Sequence, residues 1–178
     1  MNLLQKITLR RRIAASRTKL YRMAVAWCYD RTLADDLAQE CLARALQCMH
    51  QVKDSERLQC WLYRILSNCW HDHLRRQRPT DELDEETDSG CDGPEAGAYQ
   101  AEVIGHVRRA VAGLPIGQRK VLTLVDLEGL SYAEVAEVLA IPIGTVMSRL
   151  SRARDRLQTQ LESTFVAPGE RGRLWRVK

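Results

Sequence analysis

The stretch Gly129–Leu157, GLSYAEVAEVLAIPIGTVMSRLSRARDRL, decides how this chain is read, because it spells two short helices around a tight turn with arginines studding the second. Ser131 and Glu134 form a Ser-x-x-Glu capping box, which satisfies two backbone donors that a helix start leaves orphaned. Val135, Ala136 and Leu139 are then expected to face inward. Gly129 closes the preceding element, and Pro142 suits the first position of the next helix, where a missing N–H does no harm. In that second helix Val146, Leu150, Ala153 and Leu157 recur at i, i+4, i+7 and i+11, the apolar stripe of a packed helix. At about 100° per residue, Thr145, Ser148, Ser151 and Arg152 fall on the opposite face, flanked by Met147, Arg149 and Arg154. Hydroxyls interleaved with arginines suit the phosphates and base edges of a major groove. The segment therefore predicts a DNA-reading helix-turn-helix. A solvated basic helix in an ordinary bundle accounts for the charge, but not for the box, the turn and the proline together.

The remainder of the 178 residues is long enough for one domain or two small ones, and a hydrophobic share of 45% supplies packed cores. The longest apolar run, Met23–Tyr29, is too short to span a bilayer, and MNLLQKITLRRR lacks the apolar centre of a secretion signal, so a cytoplasmic chain with no membrane insertion of its own is expected. The net charge of +4 conceals a division. Pro79–Val107 holds nine acidic residues and no Lys or Arg; outside it 27 basic residues face 14 acidic ones, a net of +13. Such a charge favours a polyanionic partner and a salt-dependent affinity.

Cys28, Cys41, Cys48, Cys60, Cys69 and Cys91 show no C-x-x-C pairing, and five of them lie in helical, largely apolar patterns, so they read as reduced small hydrophobes. Cys69 and His73 are one turn apart with His71 nearby, yet no third and fourth ligand accompanies them, and no metal or cofactor is expected. No phosphate loop or nucleophile triad occurs either, so no enzyme activity is expected.

Helical periodicity dominates throughout, with helices expected at Ile13–Tyr29, Leu33–Met49 and Leu58–Gln77, and again from about Gln100, broken at Gly113–Pro115 and at Gly129. TDELDEETDSGCDGPEAGAY between them has acid, Gly and Pro without periodicity and reads as a flexible linker. The fold class is all-α: two small helical domains joined by an acidic strap. As a coil of about 20 residues the strap would separate its ends by about 25 Å, and by about 65–70 Å at full stretch.

Two further features belong to the first domain. Leu37, Cys41, Ala45 and Cys48 mark an inward stripe that leaves Asp35, Asp36, Gln39 and Glu40 outside. Complementing a helix N-terminus accounts for Asp35 and Asp36, and docking to a basic protein surface accounts for Glu40 as well. The next helix carries Trp61, Tyr63 and Trp70, in a chain with only ten aromatics, beside Asn68, His73, Arg75 and Arg76. Rings stack on unpaired bases while arginines meet phosphates. Core packing competes for at least one ring, Trp61 first.

Together LADDLAQECLARAL (33–46), WLYRILSNCWHDHLRR (61–76) and LPIGQRKVLTLVDLEGLSYAEVAEVLAIPIGTVMSRLSRARDRL (114–157) resemble, in order, the extracytoplasmic-function (ECF) sigma factors of bacterial RNA polymerase. The likeness spans about Ile13–Leu161 except the linker. It implies sigma region 2 at 1–79, a linker at 80–99, sigma region 4 with its helix-turn-helix at 100–164, and a basic tail at 165–178. On this resemblance Asp35, Asp36, Leu37, Gln39 and Glu40 contact the clamp coiled coil of the polymerase core, with the flap as a further core contact. Lys53, Ser55, Arg57, Tyr63, Asn68, Trp70, His73, Arg75 and Arg76 meet the minus-ten DNA, some of them around a pocket for a flipped base. Thr145, Met147, Ser148, Arg149, Ser151, Arg152 and Arg154 meet the minus-thirty-five element. An anti-sigma protein is the expected regulator.

The chain departs from the family pattern where Met147 stands for a frequent Arg or Lys, and where Val52 and a glycine-free pocket loop replace a common Phe and Gly. The strap at Asp81–Glu95 reads either as a mimic of nucleic acid charge inside a polymerase channel or as a soluble tether. The tail from Phe165 to Lys178 reads as a disordered basic end or as a DNA-touching or regulator-touching segment. The function implied is promoter-specific initiation of transcription. A stand-alone helix-turn-helix regulator is the alternative, and it has no use for the Asp35–Glu40 face.

Overall fold

Capping chemistry and small-residue packing set the first four helices. The computed structural model describes residues 3–52, 54–77 and 98–165, with side chains described for 103–162 of the last span. Lys53, Cys91, the acidic strap and the basic tail lie outside the described residues. Helix α1 (Leu3–Ala15) is followed by α2 (Arg17–Cys28), α3 (Arg31–Gln47) and α4 (Leu58–Gln77). The single helix expected over Ile13–Tyr29 is in fact two. At Ser16, where the two part, the hydroxyl donates back to the Arg12 carbonyl at 3.0 Å and the N–H is shared between the carbonyls of Arg12 (3.2 Å) and Ile13 (3.1 Å). Tyr29 ends α2 in the left-handed region at φ 55°, and Asp30 opens α3 by accepting from the N–H groups of Thr32 (2.8 Å) and Leu33 (3.0 Å).

Ala34, Ala38, Cys41 and Ala45 form a buried small-residue seam on α3, which lets α2 and α4 approach closely. Leu58, Leu62, Leu66 and Cys69 of α4 fill the space opposite, each buried leucine contributing about 1.5–3 kcal/mol relative to exposure. Leu9 and Ile13 of α1 close the end of this bundle.

The second unit comprises α5 (Ala98–Ala112), α6 (Ile116–Leu122), α7 (Tyr132–Leu139) and α8 (Ile143–Phe165). Helix α6 widens into a π turn at Thr123–Leu127, with Glu128 N–H bonded to the Thr123 carbonyl at 3.2 Å. The Thr123 hydroxyl bonds back to the carbonyls of Arg119 (2.9 Å) and Lys120 (3.1 Å) at the point of widening. Gly129 then turns the chain at φ +70°. The capping box is complete: Ser131 N–H donates to Glu134 Oε2 at 2.8 Å and Glu134 N–H to Ser131 Oγ at 3.3 Å. Val135, Ala136 and Leu139 face inward as expected, Ala136 and Leu139 partly buried against the core, and Val138 is buried with Val135. Pro142 accepts from Val146 N–H at 3.2 Å, so it caps α8 one position before the helix begins.

The described residues are all helix and turn, with no strand among them. The two units are packed together, and their buried side chains form one continuous core.

Candidate nucleic-acid and polymerase interface

On α8 the buried stripe Val146, Leu150, Ala153 leaves Ser148, Ser151 and Arg152 exposed, with Thr145 half-buried and Met147 54% exposed on the flank. This is a surface of hydroxyls, one apolar side chain and a cation, able to reach phosphates and base edges. Two predicted readers serve the scaffold in this structure. Arg154 forms a two-point ion pair with Asp126 (2.6 and 3.3 Å), tying α8 to the π turn. Arg149 lies against α6, where a Cβ on Gly117 would stand 3.1 Å from its Nη1.

The acidic face of α3 is partly neutralised within its own bundle. Asp35 pairs with Arg17 (2.7 Å) and accepts from Gln39 (2.7 Å). Glu40 pairs with Arg44 (2.5 Å) and more loosely with Arg76 (3.7 Å). Arg44 also holds Asp72, and this bond is the leading reason that the Asp72 carboxyl sits below its ordinary range. Asp36 and Gln39 are exposed. Leu37 is not on this face: it is buried beneath it, because the inward stripe of α3 includes it.

The predicted minus-ten residues divide sharply. Asn68, Arg75 and Arg76 are exposed along α4, Arg75 pairing with Asp72 at 2.6 Å, and Ser55 is exposed with its carbonyl accepting from Arg12 at 2.6 Å. Trp70 is buried and stacks on His73 with ring centroids 5.9 Å apart. Tyr63 is fully buried and donates its hydroxyl to Glu128 of the second unit. Burial, then the Glu128 carboxylate, drives its phenol pKa up. Arg57 forms an ion pair with Glu137 on α7. Tyr63 and Trp70, not Trp61, are thus the rings most deeply packed, since Leu62, Leu66 and Cys69 set the inward side of α4 and Trp61 lies at its edge.

Helix α7 therefore lies across α4, and α6 across α2. Trp27 Nε1 donates to Thr123 Oγ1 at 2.9 Å with both residues fully buried. Arg119 reaches the carbonyls of Trp27 (2.7 Å), Leu114 (2.9 Å) and Ala112 and stacks 5.1 Å above the Tyr29 ring. Its guanidinium thus sits at the C-terminal ends of α2 and α5, where helix dipoles present partial negative charge. Sequence reasoning missed Trp27, Arg119, Lys120 and Thr123. The signal available was Met23–Tyr29, an apolar run too continuous for a helix with one free face.

Cys28, Cys41 and Cys69 are buried thiols whose pKa values burial raises, Cys28 and Cys69 to about 11. Among the described residues no group of three or more His, Cys, Asp or Glu is placed to hold a metal ion, and no helix is long and apolar enough to cross a membrane.

Two helical units in this order, the second ending in an exposed helix-turn-helix, define a bipartite DNA-binding protein. Residues 13–80 match the family described as Sigma-70 region 2, and residues 105–157 match Sigma-70, region 4. The chain is 33% identical over 156 residues to the RNA polymerase sigma-H factor of Pseudomonas aeruginosa, covering 81% of each chain. It is 32% identical over 141 residues to the ECF RNA polymerase sigma factor SigW of Bacillus subtilis, covering 72% of this chain and 75% of that one. In structure it is similar to the sigma factor RpoE of Bartonella quintana, solved with the anti-sigma factor NepR, with a TM-score of 0.68, 26% identity, and coverage of 85% of this chain and 95% of that one. The chain belongs to the ECF sigma factors. It is accordingly a promoter-specific transcription initiation factor, and its partners include RNA polymerase; sigma factors are not themselves enzymes.

Proposed function

We propose that the chain works in the cytoplasm as a clamp on two promoter elements, region 2 (1–79) holding separated minus-ten bases and region 4 (100–164) gripping the minus-thirty-five duplex. The single observation that carries this reading is the exposed Ser148, Ser151 and Arg152 face of α8, opposite the buried stripe that fixes the helix in its domain. Asp35, Asp36, Gln39 and Glu40 bind the clamp coiled coil of the polymerase core. Asn68, Arg75 and Arg76 meet the minus-ten strand from the exposed side of α4, joined by Arg57 and Tyr63 once Glu137 and Glu128 release them. Trp70 and His73 form a stacked pair behind that surface. Binding both elements at once separates the two units.

An anti-sigma protein is the regulator; the support is the likeness to a sigma factor captured with one. The test is transcription in vitro with purified core polymerase and promoters chosen from transcripts that rise when the chain is overproduced. Accurate starts that disappear in Asp36→Arg and in Arg152→Ala support the reading. Tight, sequence-specific duplex binding by the free chain without polymerase favours the stand-alone regulator instead.

A further inference from the structure

Lys120 of α6 is 3% exposed, although it carries an amine that water solvates strongly. Its Nζ lies 4.9 Å above the ring of Trp27 on α2 and donates to Ser67 Oγ on α4 at 3.3 Å. Both partners belong to the first unit and the lysine to the second, so it is the domain contact that dries the amine. No carboxylate is among the groups acting on it. The charge that does act is the Arg149 guanidinium of α8, which repels an ammonium.

The other ionisable groups of the packed elements are engaged or face elsewhere. On α6 itself Arg119 turns to the carbonyls of Trp27 and Leu114. Beyond the π turn Glu128 is taken by Tyr63; on α7 Glu134 is taken by Ser131 and Cys60, and Glu137 by Arg57. On α4 His71, one turn beyond Ser67, is exposed; on α2 the Cys28 thiol donates to the Asp30 carbonyl. A charged Lys120 is therefore compensated only by a ring face and a hydroxyl.

We propose that this contact is a pH-sensitive latch: the chain by itself keeps Tyr63 buried and Arg57 tied to Glu137 of its helix-turn-helix, and proton uptake at Lys120 loosens the closure. Its consequence for DNA rests on the minus-ten reading of Arg57 and Tyr63 given above. The closed form holds the Lys120 pKa down at about 7, through burial first and Arg149 second, against 10.5 for a solvated lysine. A group with a depressed pKa binds fewer protons in the closed form. Closure thus strengthens as pH rises from about 7 toward 10.5, and is weakest and constant well below 7. With those two values the ratio of closed to open molecules rises about fivefold between pH 7 and pH 8.

The test is single-molecule energy transfer on the full chain, with dyes at exposed Lys19 and Gln158, from pH 6 to pH 9 at constant ionic strength. The wild type should gain closed molecules as pH rises. Lys120→Met, which keeps the length without the charge, should stay closed across the range. Lys120→Gln provides the same comparison where the methionine chain does not fold. A wild-type ratio that does not move with pH, or that moves equally in the neutral variants, overturns the latch. Binding of a labelled single-stranded DNA pool, measured in parallel, separates the two ideas: opening on acidification without gain in binding leaves the latch standing and removes the minus-ten assignment.

Discussion

Replacing Thr123 by Val removes the acceptor of the Trp27 indole N–H, the 2.9 Å bond that crosses the domain contact between two fully buried side chains. A valine fills nearly the same volume, so the indole donor stays buried without a partner, at a cost of about 1–3 kcal/mol. Trp27→Phe removes the donor as well as part of the ring, and loses buried apolar contact on top. In the double variant the orphaned donor no longer exists. The two changes together should therefore destabilise the chain by about 1 kcal/mol less than the sum of the singles. The bonds from the Thr123 hydroxyl back to Arg119 and Lys120 vanish in both Thr123→Val backgrounds and cancel from the cycle. The assay is urea unfolding of all four chains, followed by tryptophan fluorescence and by circular dichroism. Splitting of one transition into two in Thr123→Val would be a further sign that the units have parted. Additive single effects with unchanged cooperativity would refute the reasoning, since two groups that add do not touch.

Three more outcomes are expected. Ala140 sits in the left-handed region at φ 54° in the helix-turn-helix turn, where a Cβ is strained by about 1–2 kcal/mol; after the loss of chain entropy glycine brings, Ala140→Gly should raise stability by about 0.5–1 kcal/mol in urea unfolding. Met147→Arg places a cation on the exposed flank of α8 and should tighten minus-thirty-five duplex binding and steepen the dependence of log K on log salt by about 1, read by anisotropy at several salt concentrations. Of the five described cysteines, half-buried Cys48 should react with a small alkylating reagent at pH 8 ahead of Cys60, whose thiol pKa burial and Glu134 hold up, and well before buried Cys28, Cys41 and Cys69, as mass mapping of the labelled peptides would show.

The local grammar of the chain was readable wherever a helix is controlled by its own residues. The Ser131–Glu134 box, the turn at Gly129 and the stripe Val146–Leu150–Ala153 depend on neighbours three to seven positions away, and each stands as expected. So do the limits of α4 at Leu58 and Gln77. What the sequence did not show are contacts between residues distant in the chain. Arg154 pairs with Asp126, 28 residues away. Tyr63 meets Glu128, 65 residues away. The break at Ser16 that divides the expected helix Ile13–Tyr29 is the local exception.

The chemistry of the domain contact fits a closure that is meant to be undone. A permanent interface is normally apolar like a core cut in half, and separating it exposes surface that water penalises in proportion to area. Here Thr123, Ser67, Lys120, Arg119, Tyr63 and Arg57 carry much of the crossing, meeting hydroxyl, carbonyl and carboxylate partners. Each polar bond broken on opening is replaced by one to water, so its net contribution is about 0.5–1.5 kcal/mol, not its gross strength. Trp27 supplies the apolar centre, yet its indole edge and its backbone carbonyl are both spent on the second unit. The result is an orientation specified by many directional bonds, laid over the apolar core that the two units share. On the reading proposed above, a promoter that takes Arg57 and Tyr63 competes with the closure, because it offers the same kind of bond in a different place.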